Sequence, residues 1–346
     1  MINYRHGGDV YSNIIDYDFS ANINPLGLPE NVRKTLFSSV DSFSAYPDPE
    51  CRELVKAISC LENIPPEKIL CGNGAADLIF RIVFAVKPSK ALILSPTFSE
   101  YEKSLLSVGC EIEYHFLFEE NHFRLDENIL EKLTEDTDIF FLCNPNNPTG
   151  NIISPELLRL IIKKCAEQKI LLIIDECFMD FVFDSEKLSA KNHLESGVVI
   201  LKAFTKIYAM AGLRLGYIVC DNTAFLEKIR RFGQPWSVST PAQLAGITAA
   251  SELDYRQKTV RIIASEREFL ISELTQLGLK AYPSKTNFLL FKSAVPLEEK
   301  LLKQRIAIRS CSNFSGLGDD FYRIAVRLHH ENLVLMKAIE GIVKNG

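Results

Sequence analysis

The sequence predicts an α/β fold with a large, mainly parallel sheet in one domain and a smaller α+β domain after it. From about residue 45 to residue 240, apolar runs alternate with helical patterns, which is typical of parallel strands connected by helices. The chain has 346 residues and is 47% hydrophobic, enough for a substantial core and for division into two lobes. We expect residues 45–240 to form the large domain.

The strand candidates of the large sheet are short apolar runs bounded by polar or turn-forming residues. They span 91–95, 111–117, 138–143, 170–175, 198–202 and 215–220. The segment 68–86 predicts a short strand, a glycine turn and a helix, whose apolar face contains Leu78, Ile79, Ile82, Val83 and Val86. A long helical stretch follows at 241–277. The strands predicted for the smaller domain span 287–292, 306–310 and 322–327.

Lys206 is a candidate covalent anchor for an aldehyde. Its segment has no other charged residue between Lys202 and Arg214, so folding should surround the amine with apolar groups. Such surroundings lower the pKa of an ammonium group and expose a nucleophilic amine. Thr205 and Arg214 add a hydroxyl and a guanidinium, which are groups that hold a phosphate. An aldehyde with a phosphate describes pyridoxal phosphate, although a single lysine of this kind is more often a surface residue.

A second phosphate-binding feature lies at the start of the helix predicted after residue 74. Backbone amides at a helix N-terminus favour an anion, so Gly74, Ala75 and Ala76 can hold a phosphate. The glycine pattern alone is weak evidence. A nicotinamide-binding fingerprint would require a third glycine where Asp77 stands.

Two polar residues follow apolar runs that predict buried strands. Asn147, in the Asn/Pro-rich run after 138–143, can donate its amide to a phenolate oxygen, or it can simply belong to a turn. Asp175 ends the run 170–175, where the carboxyl ends of parallel strands line a ligand crevice. An aspartate there can pair with a pyridinium nitrogen, or it can cap the next helix.

With these motifs in this order and spacing, nearly the whole chain resembles the fold-type I family of pyridoxal-phosphate enzymes, which includes the aspartate and histidinol-phosphate aminotransferases. The resemblance implies the aspartate aminotransferase fold, with a seven-stranded sheet in the large domain. It also implies that residues 1–44 join residues 241–346 in a small domain. The cofactor is expected to be pyridoxal 5'-phosphate.

The resemblance assigns a role to each candidate cofactor residue. It implies that Lys206 forms the Schiff base, that Asp175 binds the pyridine nitrogen and that Asn147 binds the phenolic oxygen. Tyr101, in the run SPTFSEY, is expected to stack on the ring. The phosphate cup is expected to consist of Gly74, Ala75, Ala76, Thr205 and Arg214.

Two further positions bear on assembly and on reaction type. Tyr46, in AYPDPE, matches a tyrosine that in this family reaches the cofactor phosphate of a neighbouring subunit, which implies a homodimer. Three residues after Asp175, the aminotransferases usually carry a tyrosine whose hydroxyl contacts the cofactor oxygen. This chain has Phe178, which cannot donate that hydrogen bond, so ordinary transamination is the less favoured outcome.

Arginines near the C-terminus are the candidates for binding the substrate. The resemblance favours Arg323 as the clamp on an α-carboxylate, while Arg309, on the preceding strand, is available for a second anion. For Arg305 and Arg327 a solvated position on the surface is the preferred interpretation.

Within this family, the chain most resembles a branch that decarboxylates an O-phosphorylated amino acid. The runs HGGDVY, DFSANINPLG and IRSCSNFSGLG carry this resemblance. In that branch His6 and Arg309 match positions that bind the substrate phosphate, and Asn22 matches one near the carboxylate. The expected reaction is decarboxylation of L-threonine O-3-phosphate, or of L-serine O-phosphate, for cobalamin synthesis. Transamination of histidinol phosphate is the alternative, and a non-catalytic cofactor-binding regulator ranks third.

Bulk properties limit the partners that we expect. A net charge of -5, a pI near 5.8 and no Lys/Arg run argue against nucleic acid as a partner. No apolar segment approaches the roughly 20 residues of a membrane span, and the N-terminus does not resemble a signal peptide, so a cytoplasmic enzyme is expected. The nine cysteines lack a C-x2-C pair, which favours reduced, mostly buried thiols over disulfides or a metal site.

Overall fold

Thirteen strands are found among residues 7–345, which are the residues that the computed structural model describes; His6 lies outside them. The strands are β1 (Tyr17–Asp18), β2 (Ile69–Gly72), β3 (Lys90–Ser95), β4 (Glu111–Phe116), β5 (Ile139–Cys143), β6 (Leu171–Asp175), β7 (Val199–Ala203), β8 (Gly216–Cys220), β9 (Lys280–Ala281), β10 (Phe288–Lys292), β11 (Ile306–Ala307), β12 (Arg309–Ser310) and β13 (Phe321–Ala325). Every strand predicted for the large sheet therefore exists.

The helices connect these strands and flank the sheets. They are α1 (Glu30–Ser38), α2 (Arg52–Glu62), α3 (Ala75–Val86), α4 (Ser99–Leu106), α5 (Ile129–Lys132), α6 (Pro155–Gln168), α7 (Ser185–Leu188), α8 (Phe204–Ile207), α9 (Thr223–Arg230), α10 (Thr240–Ala249), α11 (Leu253–Gln276), α12 (Glu298–Leu302) and α13 (His329–Asn345). Short 3-10 helices span Val40–Ser44, Pro66–Lys68, Glu119–Asn121, Met179–Phe181 and Ala190–Ser196. No helix in the described part of the chain is long and apolar enough to cross a membrane.

The large sheet has seven strands in the order β2-β8-β7-β6-β5-β3-β4. Strands β4, β3, β5, β6 and β7 are parallel, whereas β8 runs antiparallel to both of its neighbours, β7 and β2. Strand β2 therefore points the same way as β5, β6 and β7. The carboxyl ends of these four strands and the beginning of β8 meet at one edge, which is where α/β proteins bind ligands.

Burial on both faces explains why these strands appear as continuous apolar runs. In β5, Phe140 and Leu142 enter one apolar cluster, while Ile139, Phe141 and Cys143 enter a second one on the opposite face. Alternating side chains of a strand point to opposite faces, so a strand covered on both sides must be apolar throughout. The predicted face of α3 packs into the second cluster.

The smaller sheet has four antiparallel strands in the order β12-β13-β10-β9, and β1 pairs with β11 in a separate parallel ladder. The N-terminal segment thus joins the C-terminal part of the chain. Strands of the large sheet fall between Ile69 and Cys220, inside the predicted large domain. The boundaries at residues 45 and 240 stay a prediction, because the first apolar cluster contains side chains of both sheets.

Three predicted elements differ in detail. The strand at 306–310 is interrupted at Ile308, and its halves β11 and β12 join different sheets. The helical stretch 241–277 is interrupted between α10 and α11. The strand at 322–327 stops at Ala325, because Arg327 turns away to bind the Glu331 carboxylate of α13 through Nε at 2.9 Å and Nη2 at 2.6 Å.

Candidate active site

A cavity of about 460 Å³ lies at the edge where the carboxyl ends of the parallel strands meet. Its position follows from the topology, since residues that come directly after β2, β5, β6 and β7 must converge there. Ten of the residues predicted for the site line it: Asn22, Ala75, Ala76, Asn147, Asp175, Thr205, Lys206, Arg214, Arg309 and Arg323.

Lys206 lies in α8, the single helical turn that follows β7, and its side chain reaches the cavity wall. Burial lowers the pKa of its amine to about 8, and the positive charges of Arg323 and Arg214 act in the same direction. Because a neutral amine is the nucleophilic form, a sizeable fraction of Lys206 can attack a carbonyl near neutral pH.

Asp175 is held at the end of β6 by two donors. Its Oδ2 accepts a hydrogen bond of 2.6 Å from the Tyr101 hydroxyl, and its Oδ1 accepts one of 2.9 Å from the backbone amide of Cys177. Burial and the Asp175 charge raise the pKa of Tyr101 well above its usual value, so the phenol stays protonated and remains a donor. Both carboxylate oxygens are thereby oriented at the cavity wall.

Tyr101 does not occupy the position expected for a residue that stacks on the cofactor ring. Its side chain is 0% exposed, packs against Phe141 at 5.1 Å between ring centroids, and does not line the cavity. Phe98, three residues earlier and just before α4, lines the cavity instead. The run SPTFSEY contains both aromatic residues, and only the start of α4 decides which one turns inward.

The corner predicted to bind a phosphate lies where α3 begins beside β8. Gly74 precedes α3 with φ +82°, and a side-chain Cβ there would lie 2.8 Å from Nη2 of Arg214. Gly216, on β8, lies against the backbone at the start of α3, since a Cβ on Gly216 would lie 2.6 Å from the backbone nitrogen of Ala75. Two glycines therefore allow the helix N-terminus and the guanidinium of Arg214 to share one corner, and Thr205 lines the same cavity.

Asn147 lies four residues after the end of β5 at Cys143, in the Asn/Pro-rich run that follows this strand. Its Oδ1 accepts a hydrogen bond of 2.5 Å from Nη1 of Arg323. The amide group of Asn147 is then the donor that this side chain can present to the cavity.

Arg309 and Arg323 face each other across the β12–β13 pair, and both line the cavity. They are 5% and 6% exposed. Burial lowers the pKa of Arg323 to about 10, with a further contribution from Arg309, and the group remains a cation at neutral pH. Two buried guanidinium groups at one cavity can bind a ligand with two anionic groups.

Two buried polar atoms at this end of the cavity have no hydrogen-bond partner among the described residues. They are Oδ1 of Asn22 and Nε of Arg323. Buried polar atoms are nearly always paired, so an acceptor and a donor left open together indicate a polar ligand. Asn22 is held in place by its backbone oxygen, which accepts a hydrogen bond of 3.0 Å from Asn287.

Of the remaining candidates, Tyr46 and Arg305 lie outside the cavity, whereas Phe178 lines it. Tyr46 is 80% exposed and stacks on Trp236 at 4.6 Å between ring centroids, away from the residues of the cavity. Arg305 is an exposed residue with Asp16 at 3.7 Å, as expected for a surface position. Phe178 lines the cavity with its ring edge against Phe288, so no hydroxyl is present at that point.

The chain belongs to the aminotransferase class I and II family, whose model matches residues 14–342. It is 37% identical to the threonine-phosphate decarboxylase of Salmonella typhimurium, over 99% of this chain and 98% of the relative. It is also 37% identical to the adenosylcobalamin biosynthesis bifunctional protein CobDQ of Leptospira interrogans, over 94% of this chain and 38% of the relative. The histidinol-phosphate aminotransferase from Clostridium acetobutylicum has a similar structure, with a TM-score of 0.89, 31% identity and coverage of 95% of this chain and 100% of that one.

Family membership confirms three predictions made from the sequence: the fold, an enzymatic activity, and pyridoxal phosphate as the cofactor. The described residues fit this cofactor. They provide an amine with a lowered pKa at Lys206, an oriented carboxylate at Asp175, and a phosphate corner that a side chain on Gly74 would fill.

Proposed function

We propose that this enzyme decarboxylates L-threonine O-3-phosphate, with L-serine O-phosphate as a second candidate substrate, to an amino-alcohol phosphate for cobalamin synthesis. The observation that carries the proposal is the pair of buried arginines, Arg309 and Arg323, at the cavity that contains Lys206. A phosphorylated amino acid has two anionic groups and an amine, which match these three side chains. The 37% identity to a threonine-phosphate decarboxylase over almost the whole chain supports the same substrate class.

The protein residues determine which bond of the substrate breaks. Bound pyridoxal phosphate supplies a conjugated ring that accepts the electrons of a broken bond at Cα, and only a bond perpendicular to the ring can deliver them. In this proposal Arg323 and Asn22 hold the carboxylate and Arg309 holds the phosphate. The resemblance also assigns the phosphate to His6, which lies outside the described residues. With both ends held by protein residues, the substrate would not rotate freely about its N–Cα bond, and its carboxylate would be the group presented for loss. Positioning of this kind contributes up to roughly 7–11 kcal/mol to lowering a barrier.

Two residues have further roles in this proposal: Asp175 binds the cofactor ring, and Lys206 transfers protons. Asp175, oriented by Tyr101 and the amide of Cys177, is the carboxyl group that would hold the ring nitrogen of bound pyridoxal phosphate. Lys206, with a pKa near 8, can exchange a proton at neutral pH and returns one to Cα after carbon dioxide leaves.

Transamination of histidinol phosphate is the second candidate, because an aminotransferase of that specificity has a closely similar structure. Two arginines would also accept the two carboxylates of 2-oxoglutarate, the usual amino-group acceptor. Phe178 argues against this alternative in the way expected from the sequence, since its ring brings no hydroxyl to the cavity.

The test is to incubate the cofactor-loaded enzyme with phosphothreonine, phosphoserine or histidinol phosphate, each with and without 2-oxoglutarate. Release of carbon dioxide from phosphothreonine without an acceptor supports the proposal. Formation of glutamate from histidinol phosphate, without carbon dioxide from either phosphoamino acid, would overturn it. The Lys206→Ala variant controls for contaminating enzymes.

We further infer that the enzyme is a homodimer in which Tyr46 of each subunit completes the site of the other. Tyr46 and Trp236 form an exposed aromatic pair, and Phe37, Val40 and Phe43 on the neighbouring segment are also exposed. Exposed apolar clusters of this kind usually mark a contact surface. All nine cysteines are free thiols, which supports the further inference that this dimer works in the reducing cytosol.

A further inference from the structure

Two consecutive residues hold the guanidinium of Arg309. Its Nη2 donates a hydrogen bond of 2.6 Å to Oδ1 of Asn313, and its Cζ lies 5.5 Å from the ring centroid of Phe314. Phe314 is buried and lines the same cavity as Arg309. An acceptor at one edge of the planar group and an aromatic ring near it restrict the rotation of a long side chain.

The turn that carries these two residues is itself anchored. The amide of Phe314 donates to the oxygen of Cys311 at 2.9 Å, and the amide of Cys311 donates to the oxygen of Phe321 on β13 at 2.8 Å. From the large sheet, the hydroxyl of Ser95 donates to the oxygen of Ser315 at 2.8 Å. The turn is therefore tied to both sheets, and the orientation that it gives to Arg309 is defined relative to the whole cavity.

Arg323 is oriented by other groups. Its Nη1 donates to Oδ1 of Asn147 at 2.5 Å, and its Nη2 donates to the backbone oxygen of Ser20 at 3.0 Å. Neither contact involves the turn 311–317. The two arginines can therefore be perturbed one at a time, although they are neighbours across β12 and β13.

We propose that Asn313 and Phe314 are positioning residues that hold Arg309 in the orientation that binds the substrate phosphate. They thereby set the preference for a phosphorylated over an unphosphorylated amino acid, an inference that rests on the proposed function. A flexible arginine must be ordered when it binds an anion, and this ordering weakens binding. The turn orders Arg309 before the substrate binds. It therefore strengthens binding of the phosphate and leaves binding of the carboxylate unchanged.

The experiment compares the cofactor-loaded wild type with Asn313→Ala, Phe314→Leu and Phe314→Tyr. The matched control is Ser312→Ala, in the same turn, whose hydroxyl contacts Ser310 and not Arg309. For Asn313→Ala and Phe314→Leu we expect KM for phosphothreonine to rise about tenfold, in line with the loss of a contact to a charged group, and kcat to fall by a smaller factor. Phe314→Tyr keeps the ring and should bind phosphate more tightly than Phe314→Leu, whereas Ser312→Ala should stay close to wild type.

A second measurement separates the phosphate from the rest of the substrate. Competitive inhibition by inorganic phosphate should weaken in parallel with KM, while binding of unphosphorylated L-threonine, followed by the change in cofactor absorbance, should stay the same. Equal weakening for threonine and phosphate, or a fall in kcat with KM unchanged, would overturn the inference. If either of the two variants fails to fold, the other still provides the comparison.

The outcome also distinguishes this inference from the proposed function. Should the wild type release no carbon dioxide from phosphothreonine, the proposed function fails, and phosphate binding to the loaded enzyme still tests the role of the turn. Should the wild type decarboxylate phosphothreonine while Asn313→Ala and Phe314→Leu bind phosphate normally, only the positioning role is wrong.

Discussion

The environment of Lys206 supplies its chemical character. The side chain is an ordinary primary amine, and burial together with two neighbouring arginines lowers its pKa to about 8. Asp175 acquires its orientation in the same way, from a phenol and a backbone amide that bind its two oxygens. Neither property belongs to the residue type, so both should change when a neighbour changes.

We expect Arg323→Gln to raise the pKa of Lys206 in the cofactor-free protein, because it removes a positive charge that disfavours the ammonium form. Competitive labelling with acetic anhydride across pH 6–10, read by mass spectrometry, measures the midpoint. The midpoint of the wild type should lie near pH 8, and that of the variant should be higher. Exposed Lys34 serves as the internal reference, and an unchanged midpoint would show that Arg323 does not influence the amine.

At the scale of elements, one edge of the large sheet creates the site. Because β8 is antiparallel to β2 and β7, the start of β8 reaches the edge where β2 and β7 end. Arg214, just before β8, therefore comes next to Gly74, just after β2. A fully parallel sheet would place the same arginine at the opposite edge.

We expect Gly74→Ala to weaken cofactor binding by at least about tenfold, because the new Cβ would displace Arg214 from the phosphate corner. The glycine also has φ +82° and ψ 163°, a conformation nearly exclusive to glycine, and an L-residue there costs about 1–3 kcal/mol. Gly109→Ala is the matched control, since Gly109 has φ +73° with open space around its Cβ position. Equilibrium dialysis with pyridoxal phosphate measures the effect, and equal affinities for both variants would contradict the explanation.

At the scale of the whole molecule, a buried ionic network lies beside the site. Lys202, on β7, contacts Glu62 at 2.6 Å and Asp180 at 3.4 Å, and Arg256 of α11 contacts Asp180 at 2.7 Å. Glu176 lies close to this network and is fully buried. The network joins α2, the large sheet and α11. A change in the protonation state of Glu176 beside it should therefore affect the stability of the entire chain.

Burial raises the pKa of Glu176 to about 7, despite the opposing effect of Lys202. Between the ordinary carboxyl value of 4.5 and 7 the folded protein therefore binds more protons than the unfolded one, and its stability falls as pH rises. We expect Glu176→Gln to remove this fall and to be more stable than wild type at pH 8 by roughly 3 kcal/mol. At pH 4.5 the two proteins should be nearly equal.

Urea unfolding of the cofactor-free proteins at both pH values measures this difference. Glutamine keeps one acceptor for the amide of Ala190 and can donate to the hydroxyl of Ser189, the two groups that bind Glu176. Glu167→Gln, at an exposed helix position, is the control. A variant that loses stability with pH as steeply as the wild type would rule out Glu176 as the titrating group.

The last prediction concerns the proposed homodimer, in which Tyr46 of one subunit completes the site of the other. If Tyr46 completes the neighbouring site, Tyr46→Ala and Lys206→Ala should each be nearly inactive alone. Mixed and allowed to exchange subunits, they should recover up to about a quarter of wild-type activity, because half of the dimers are then hybrids with one intact site. Activity assays of the mixture, with sedimentation to establish dimers, test this. No recovery from exchanged dimers would place Tyr46 outside the partner's site.

The sequence alone determined the strands of the large sheet and the motifs at their ends. A strand that is covered on both faces must be an apolar run, and this pattern is visible at β5. A backbone that a phosphate approaches closely requires glycine, and this requirement is visible at Gly74. The lysine and the aspartate were identifiable for a similar reason, since each follows directly on such a run.

Only the tertiary structure decided which side chains meet. Two aromatic residues three positions apart, Phe98 and Tyr101, are distinguished by where α4 begins, and the short pattern of sequence does not specify that position. The alternating residue pattern within each strand does not predict that Arg309 faces Arg323, because that contact depends on the register in which β12 and β13 pair. Contacts between segments far apart in the chain, such as Ser95 with Ser315, arise from packing of the two sheets, and no local pattern of residues encodes them.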